Sequence, residues 1–225
     1  TLIVTATPPS LDANHSPVTA LTNGGNSIGD TIALTLTFDA PVNGLTSGTN
    51  NGVFKVGASA VDAVWSGSNG GLTRTLTYTV ASGQNGAATI DEAALKAALV
   101  AGITNEGGIA FAYNGAITDI DTGSVALPTV DGTPPNAPVV SSVATDNVVN
   151  NAESVAGFNI TGTGEAGATV SLSFSSGRTL AGGNTAVVAS NGAWSVAVAQ
   201  ADVTAFGEGG ETITATQTDL AGNTS

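Results

Sequence analysis

The chain has 225 residues, 41% of them hydrophobic, with 30 Gly and an aromatic content of 4%, a size that suits two β-sandwich domains. Seventeen acidic residues face four basic ones, Lys55, Arg74, Lys96 and Arg178, for a formal charge of −13, which opposes binding to nucleic acid and insertion into anionic membranes. The scarcity of aromatics argues against stacking platforms for bases or sugars, no apolar run approaches the ~18 residues of a membrane span, and without cysteine the obvious staple for stiff β repeats is a divalent cation.

Taken in chain order, the first signal is a repeat. V-T-A-T-P-P at 4–9 recurs as V-D-G-T-P-P at 130–135, an offset of 126 residues, and spaced recurrence of this kind marks a tandem array. Paired prolines favour a semi-rigid extended link. The expected division is therefore a linker or tail of a preceding repeat at 1–8, a first domain at 9–130 and a second at 131–225. The abrupt ends suggest a piece of a longer chain.

After a short β-rich run at 18–21, T-I-A-L-T-L-T-F at 31–38 alternates apolar and polar residues, and so does T-L-T-Y-T-V at 75–80. Period-two alternation reads as half-buried antiparallel strand. D-E-A-A-L-K-A-A-L-V at 91–100 is rich in Ala and Leu with acids in its first turn, so one short helix is expected there. In the second domain the strand signals are 139–144, 158–162, 168–174, 193–198 and 211–216, with Asn191-Gly192 as a hairpin signal. Phe158, Phe174 and Trp194 are the expected core anchors. The fold class is all-β: two tandem immunoglobulin-like sandwiches, the first carrying the helix.

Counting strands up and down places the acids. Asp131 in the second linker, Glu165 in the G-E-A-G turn and Asp219 in the T-D-L-A-G-N loop fall at the linker pole of the second domain. Asp30 points toward the same junction from the first domain. Asp119 and Asp121 point back toward Thr7 and Asp12, while Asp146 and Glu153 fall at the far pole. No Lys or Arg occurs between 97 and 177 to neutralise them. Clustered carboxylates repel unless a cation joins them, and Ca²⁺ accepts six to eight oxygens in flexible geometry. Asp131, Glu165, Asp219, Asp30, Asp119, Asp121, Asp146 and Glu153 are thus the candidate calcium ligands. The junction of Asp131, Glu165 and Asp219 is the leading site.

Other motifs mislead. G-T-G-E-A-G at 162–167 satisfies GxGxxG, but a strand pattern succeeds it where a dinucleotide site needs a helix. G-N-S-I-G at 25–29 satisfies GxSxG, but it leads into a strand, and the chain's one histidine, His15, sits in a polar segment. Neither supports an enzyme.

The set T-P-P-N-A-P (133–138), G-T-G-E-A-G-A-T-V (162–170), N-G-A-W-S-V (191–196) and T-D-L-A-G-N-T-S (218–225) resembles the bacterial Ig-like repeats of giant type I-secreted, RTX-type and biofilm adhesins. G-D-T-I-A-L-T-L-T-F-D-A-P-V at 29–42 is similar to a longer variant in the same proteins. The resemblance implies an extracellular, cell-surface location, calcium at domain junctions, neighbouring repeats as partners and a structural extender or adhesive role in a monomeric chain. It carries Glu165, Asp219 and linker Asp131 over as ligands, and implies that the last strand of the second sandwich is incomplete. The competing expectation is a binding module, with the Gly/Asn-rich segments 46–52 and 66–71 holding a glycan or peptide of a host or other surface.

Overall fold

The computed structural model describes residues 18–23, 25–112 and 127–225. The chain divides into two units, Thr1–Gly132 and Thr133–Ser225.

The first unit runs β1 (Val18–Asn23), β2 (Thr31–Asn43), β3 (Thr49–Val56), β4 (Ser59–Gly67), β5 (Gly71–Thr79), β6 (Asn85–Ile90), α1 (Glu92–Gly102), β7 (Thr104–Asn105) and β8 (Thr129–Asp131). The strands hydrogen-bond in the order β1-β2-β5-β4-β3-β6-β8, with β7 on β2, every neighbour antiparallel. The alternation expected at 31–38 is realised: Ile32, Leu34, Leu36 and Phe38 are buried while the intervening residues are not. These side chains share one core with Leu76 and Tyr78 of β5, Trp65 of β4, Phe54 of β3 and Val130 of β8. Residues from β2 through to β8, the far end of the strand order, meet in that core, so the sheet bends around its own apolar face. Alternation makes this necessary, because a sheet with one apolar face must cover it.

The helix forms where Ala and Leu are dense. Asp91 is its N-cap, accepting the Ala94 N–H at 2.9 Å through Oδ1 and Lys55 Nζ at 2.6 Å through Oδ2. Leu95 and Leu99, one turn apart, are fully buried in the sheet's core. The segment 46–52 is not all loop. From Thr49 it belongs to β3, where Asn51 pairs with Asp62. An Asn- and Gly-rich strand conceals its own periodicity.

The second unit comprises β9 (Val139–Val140), α2 (Asn151–Ala156), β10 (Phe158–Thr163), β11 (Thr169–Phe174), β12 (Thr185–Val187), β13 (Ala193–Val198), α3 (Gln200–Phe206) and β14 (Ile213–Thr218). It has two three-stranded sheets, β13-β10-β9 and β12-β11-β14. Ile160, Trp194, Val196 and Val198 from one sheet and Val170, Leu172 and Phe174 from the other fill the layer between them. This is the two-sheet packing of a sandwich. Trp194 and Phe174 are buried anchors, and Phe158 packs half-buried against them.

Three local expectations change. Asn191-Gly192 does close a tight turn, with Gly192 N–H on Ala189 O and Ala189 N–H on Ala193 O, both 2.8 Å. The strands it joins then part, β12 to β11 and β13 to β10, so it is a corner between sheets rather than a hairpin within one. The run 139–144 keeps only two strand residues, after which the chain leaves the sheet and turns, with Ala144 and Thr145 at positive φ. The two short helices α2 and α3 form where the sequence pattern announced no element.

Candidate functional site

The second unit brings four segments together at its entry end. Gly164 N–H donates to Gly192 O at 2.9 Å. Glu165 N–H donates to Gln217 Oε1 at 3.0 Å, and Gln217 Nε2 donates to Asn136 O. The chain entry, the 164–167 turn, the 191–192 turn and the end of β14 therefore share one pole, as strand counting implied. Glu165 precedes β11, Asp219 follows β14, and the two strands pair as Thr169 with Thr218. Both carboxylates consequently sit at this end of one sheet.

The Asp219 loop is folded around its own acid. Oδ1 accepts the N–H groups of Gly222 and Asn223, at 2.7 and 2.9 Å, and Oδ2 accepts Asn223 Nδ2 at 3.0 Å. Burial raises the Asp219 pKa, but the hydrogen bonds from Asn223, Gly222 and Ala221 outweigh it and hold the group below its ordinary 3.8. Beyond the loop, Thr224 bridges back to Thr218 and Ser225 N–H donates to Gln217 O at 2.9 Å. Glu165 is exposed.

The glycines of G-T-G-E-A-G have structural work. A side chain at Gly162 would run into Val139 O and the Trp194 ring, and Gly167 takes φ +87° at the turn. Strand β11 comes directly after this turn, so the segment offers no helix N-terminus to a pyrophosphate.

Asp131 lies elsewhere than expected. The sequence placed it in a linker, but it is the last residue of β8 and belongs to the first unit. Its N–H donates to Asn26 O at 2.8 Å, while Asn26 Nδ2 reaches Thr129 O at 3.1 Å. On the other side Gly132 N–H donates to Gln84 O and Asn85 Oδ1, and Gly83 N–H donates to Gly132 O. Flanking backbone thus grips the chain through Gly132, extending the sheet past the point where the repeat suggested a boundary. The turn that supplies Asn26 also carries Asp30, whose Oδ2 accepts the Ser27 N–H at 2.9 Å and Oγ at 2.8 Å. Those bonds, the Ser27 backbone bond first, lower the Asp30 pKa. Asp30 and Asp131 therefore share the exit end of the first unit.

Asp146 and Glu153 each have a local partner. Asp146 Oδ1 accepts Val148 N–H at 2.9 Å. Glu153 Oε2 accepts Asn150 N–H at 2.9 Å, while Asn150 Oδ1 accepts the N–H groups of Ala152 and Glu153, the reciprocal capping box of α2. Asp119 and Asp121 lie outside the described residues, as do Thr7, Asp12 and His15. Among the described residues no three Asp, Glu or His side chains gather closely enough to hold a metal. The entry end of the second unit offers two carboxylates and the exit end of the first offers two more. Neither pair alone reaches the six to eight oxygens that Ca²⁺ takes, unless backbone carbonyls and water add theirs.

Sequence reasoning missed Gln217, 2% exposed, and Asn223, 4% exposed. For Gln217 a signal was present. It occupies an inward position of β14, in step with Ile213 and Ala215, and a polar residue there demands internal partners.

Residues 135–225 match the model of a family described as the bacterial Ig domain. No curated protein matches the chain in sequence. Solved structures that resemble it include three from large adhesins. One is from a 1.5-MDa bacterial ice-binding adhesin studied for host cell surface retention, at 18% identity over 92% of this chain and 60% of that one, TM-score 0.32. Another is a tetra-tandem repeat in the extending region of a large adhesion protein, at 18% identity over 96% and 46%, TM-score 0.30. The third is a Ca²⁺-stabilized adhesin that helps an Antarctic bacterium reach out and bind ice, at 20% identity over 94% and 47%, TM-score 0.34. The chain spans about half the length of the solved chains it matches.

Proposed function

From a chain whose residues 135–225 match the family model of the bacterial Ig domain, we infer a structural segment of a large secreted bacterial surface adhesin: an extender, not an enzyme, working outside the cell in series with neighbouring repeats. The observation that carries this reading is architectural. Two mainly β units succeed one another in one chain, and the second matches the bacterial Ig domain model. An extender must transmit position and force, and β-sandwiches with continuous cores suit that task.

Calcium at the junction is the finer part of the proposal. Asp30 and Asp131 at the end of the first unit, and Glu165 and Asp219 at the start of the second, are the ligands we assign, with Asp119 and Asp121 serving the preceding junction. The acidic balance of the chain, −13, supports a cation as counter-charge. Extracellular modules bind Ca²⁺ at roughly 10⁻⁴–10⁻³ M, and saturation at 100 times Kd adds about 2.7 kcal/mol to the folded state. Adding calcium to the whole chain should raise the melting temperature and lengthen the particle seen by small-angle scattering, and EDTA should reverse both. Melting and scattering indifferent to calcium and EDTA would remove the metal from the proposal and leave the extender. Specific capture of a glycan or peptide by this chain on an array would instead support a binding module.

A further inference from the structure

Five Asn-Gly pairs lie among the described residues: Asn43-Gly44, Asn51-Gly52, Asn69-Gly70, Asn85-Gly86 and Asn191-Gly192. Such pairs are chemically labile, because glycine leaves its amide nitrogen unhindered to attack the asparagine side chain. A fold suppresses the attack where it engages that nitrogen or fixes the side-chain carbonyl.

Four of the five are fixed in that way. Gly44 N–H donates to Asn69 Oδ1 at 2.9 Å and Gly70 N–H to Asn43 Oδ1 at 3.1 Å, so two of the pairs clasp each other. Gly70 N–H also reaches Val42 O. Asn85 Oδ1 accepts Gly132 N–H, and Gly86 is held in the ladder opposite Val130. Gly192 N–H donates to Ala189 O, and Asn191 Oδ1 accepts Ala193 N–H.

The fifth pair differs. The register of β3 with β4 breaks between Asn51 and Phe54, and β6 pairs with β3 only at Phe54–Val56. Gly52 therefore falls in a bulge, opposite no residue of either neighbour, at φ +101°. The nearest atom to a side chain placed on Gly52 would be Ala60 Cβ at 3.9 Å, so no neighbour crowds the α-carbon of this glycine. Asn51 sits beside it on the strand, and its Nδ2 donates to Asp62 Oδ1 at 2.7 Å. That bond holds the leaving amide nitrogen rather than the glycine that attacks.

We propose that Asn51-Gly52 is a site of spontaneous covalent modification in the folded protein, a slow conversion of amide to carboxylate. The Gly52 nitrogen, losing its proton to solvent base, forms a bond to Asn51 Cγ. The Cγ–Nδ2 bond breaks and the side-chain nitrogen leaves as ammonia, closing a five-membered succinimide. Water then opens either carbonyl and gives aspartate or isoaspartate at position 51, with no oxidant or cofactor. The product faces Asp62, its partner across β3 and β4. A donor–acceptor pair becomes two like charges directly opposite, which weakens a strand pair. The first unit thereby acquires a clock of its own age, read as added charge and a loosened β3–β4 pair.

The test is peptide mapping by mass spectrometry of the whole chain aged in mildly alkaline buffer, with an isoaspartate-specific methyltransferase as a second readout. Position 51 should convert faster than each of the other four, and in strong denaturant, where the fold no longer distinguishes them, the five should convert at comparable rates. Asn51→Gln should abolish the acidic species that peptide mapping assigns to position 51, and leave those of the other Asn-Gly pairs unchanged. Asn51→Asp should lower the first unit's melting temperature, and Asp62→Asn should restore it. Equal rates at the five sites of the folded chain, or no isoaspartate at position 51 ahead of the other four, would overturn the proposal.

Discussion

Gln217 Oε1 holds the backbone N–H of Glu165 at 3.0 Å across 52 residues of chain. Its Nε2 donates at the same time to Asn136 O, so one buried amide ties the entry of the second unit, its first turn and its last strand. Gln217→Ala should leave a backbone donor and a backbone acceptor without partners in a largely buried setting, at a cost of about 2–3 kcal/mol. Urea unfolding of the whole chain reads this as an earlier transition of the second unit, with the first unit's transition unmoved. Gln217→Glu keeps the acceptor and loses the donor, and should fall between the two.

Much of the fold is legible because burial alternates with the residue pattern. The run 193–198 is β13, and 31–38 lies within β2. The helix expected at 91–100 becomes Glu92–Gly102 with Asp91 as its cap. Concealed features are those in which polar side chains serve the backbone. Asn150 and Glu153 form the cap of α2, and Asp202 accepts the N–H groups of Ala181 and Ala199 at the start of α3, at 2.8 and 2.9 Å. One capping box was written in the sequence as N-N-A-E at 150–153, but its acid reads equally well as a ligand. At the candidate site, counting strands found the pole of Glu165 and Asp219. It misplaced Asp131, because β8 continues the first unit's sheet across the repeat's apparent boundary.

Arg74 tests how a cation survives inside an acidic chain. Its side chain is fully buried, and its donors go to carbonyls, Nη2 to Val42 O and Nη1 to Thr73 O at 2.7 Å each, and Nε to Gly44 O. Among these partners there is no carboxylate. Arg74→Met should strand three carbonyl oxygens and cost about 3 kcal/mol or more. Arg74→Lys, with a rounder set of donors, should recover only part. Since no counter-charge is involved, the loss should be the same at low and high salt. The half-exposed Lys55–Asp91 pair, at 2.6 Å, should by contrast weaken as salt rises.

Glu153 separates capping from metal binding. Its Oε2 closes the box on Asn150 N–H, work a neutral amide performs nearly as well. Glu153→Gln should leave the second unit's stability almost unchanged and the calcium response intact, whereas Asn150→Ala should cost about 1 kcal/mol. Calcium titration calorimetry beside thermal melts checks both. A calcium response lost in Glu153→Gln would return this residue to the ligand set.

Asp219 predicts the acid limb of the second unit. Burial alone would raise its pKa, but hydrogen bonds from Asn223, Gly222 and Ala221 pull it below the ordinary 3.8. A carboxylate with a depressed folded pKa contributes stability that is fully present above its unfolded value and is lost as pH falls through the folded one. The second unit should therefore hold its stability down to about pH 4 and lose it below 3.8 as Asp219 protonates and its loop loosens. Asp219→Asn keeps the shape, removes the titration and places an amide nitrogen where one of the three donors was accepted. It should lower stability at neutral pH and flatten the fall at acid pH. Melting temperatures of both proteins, taken without calcium from neutral pH down through that window, decide the matter. Parallel curves would show that the Asp219 hydrogen bonds do not set the acid limb.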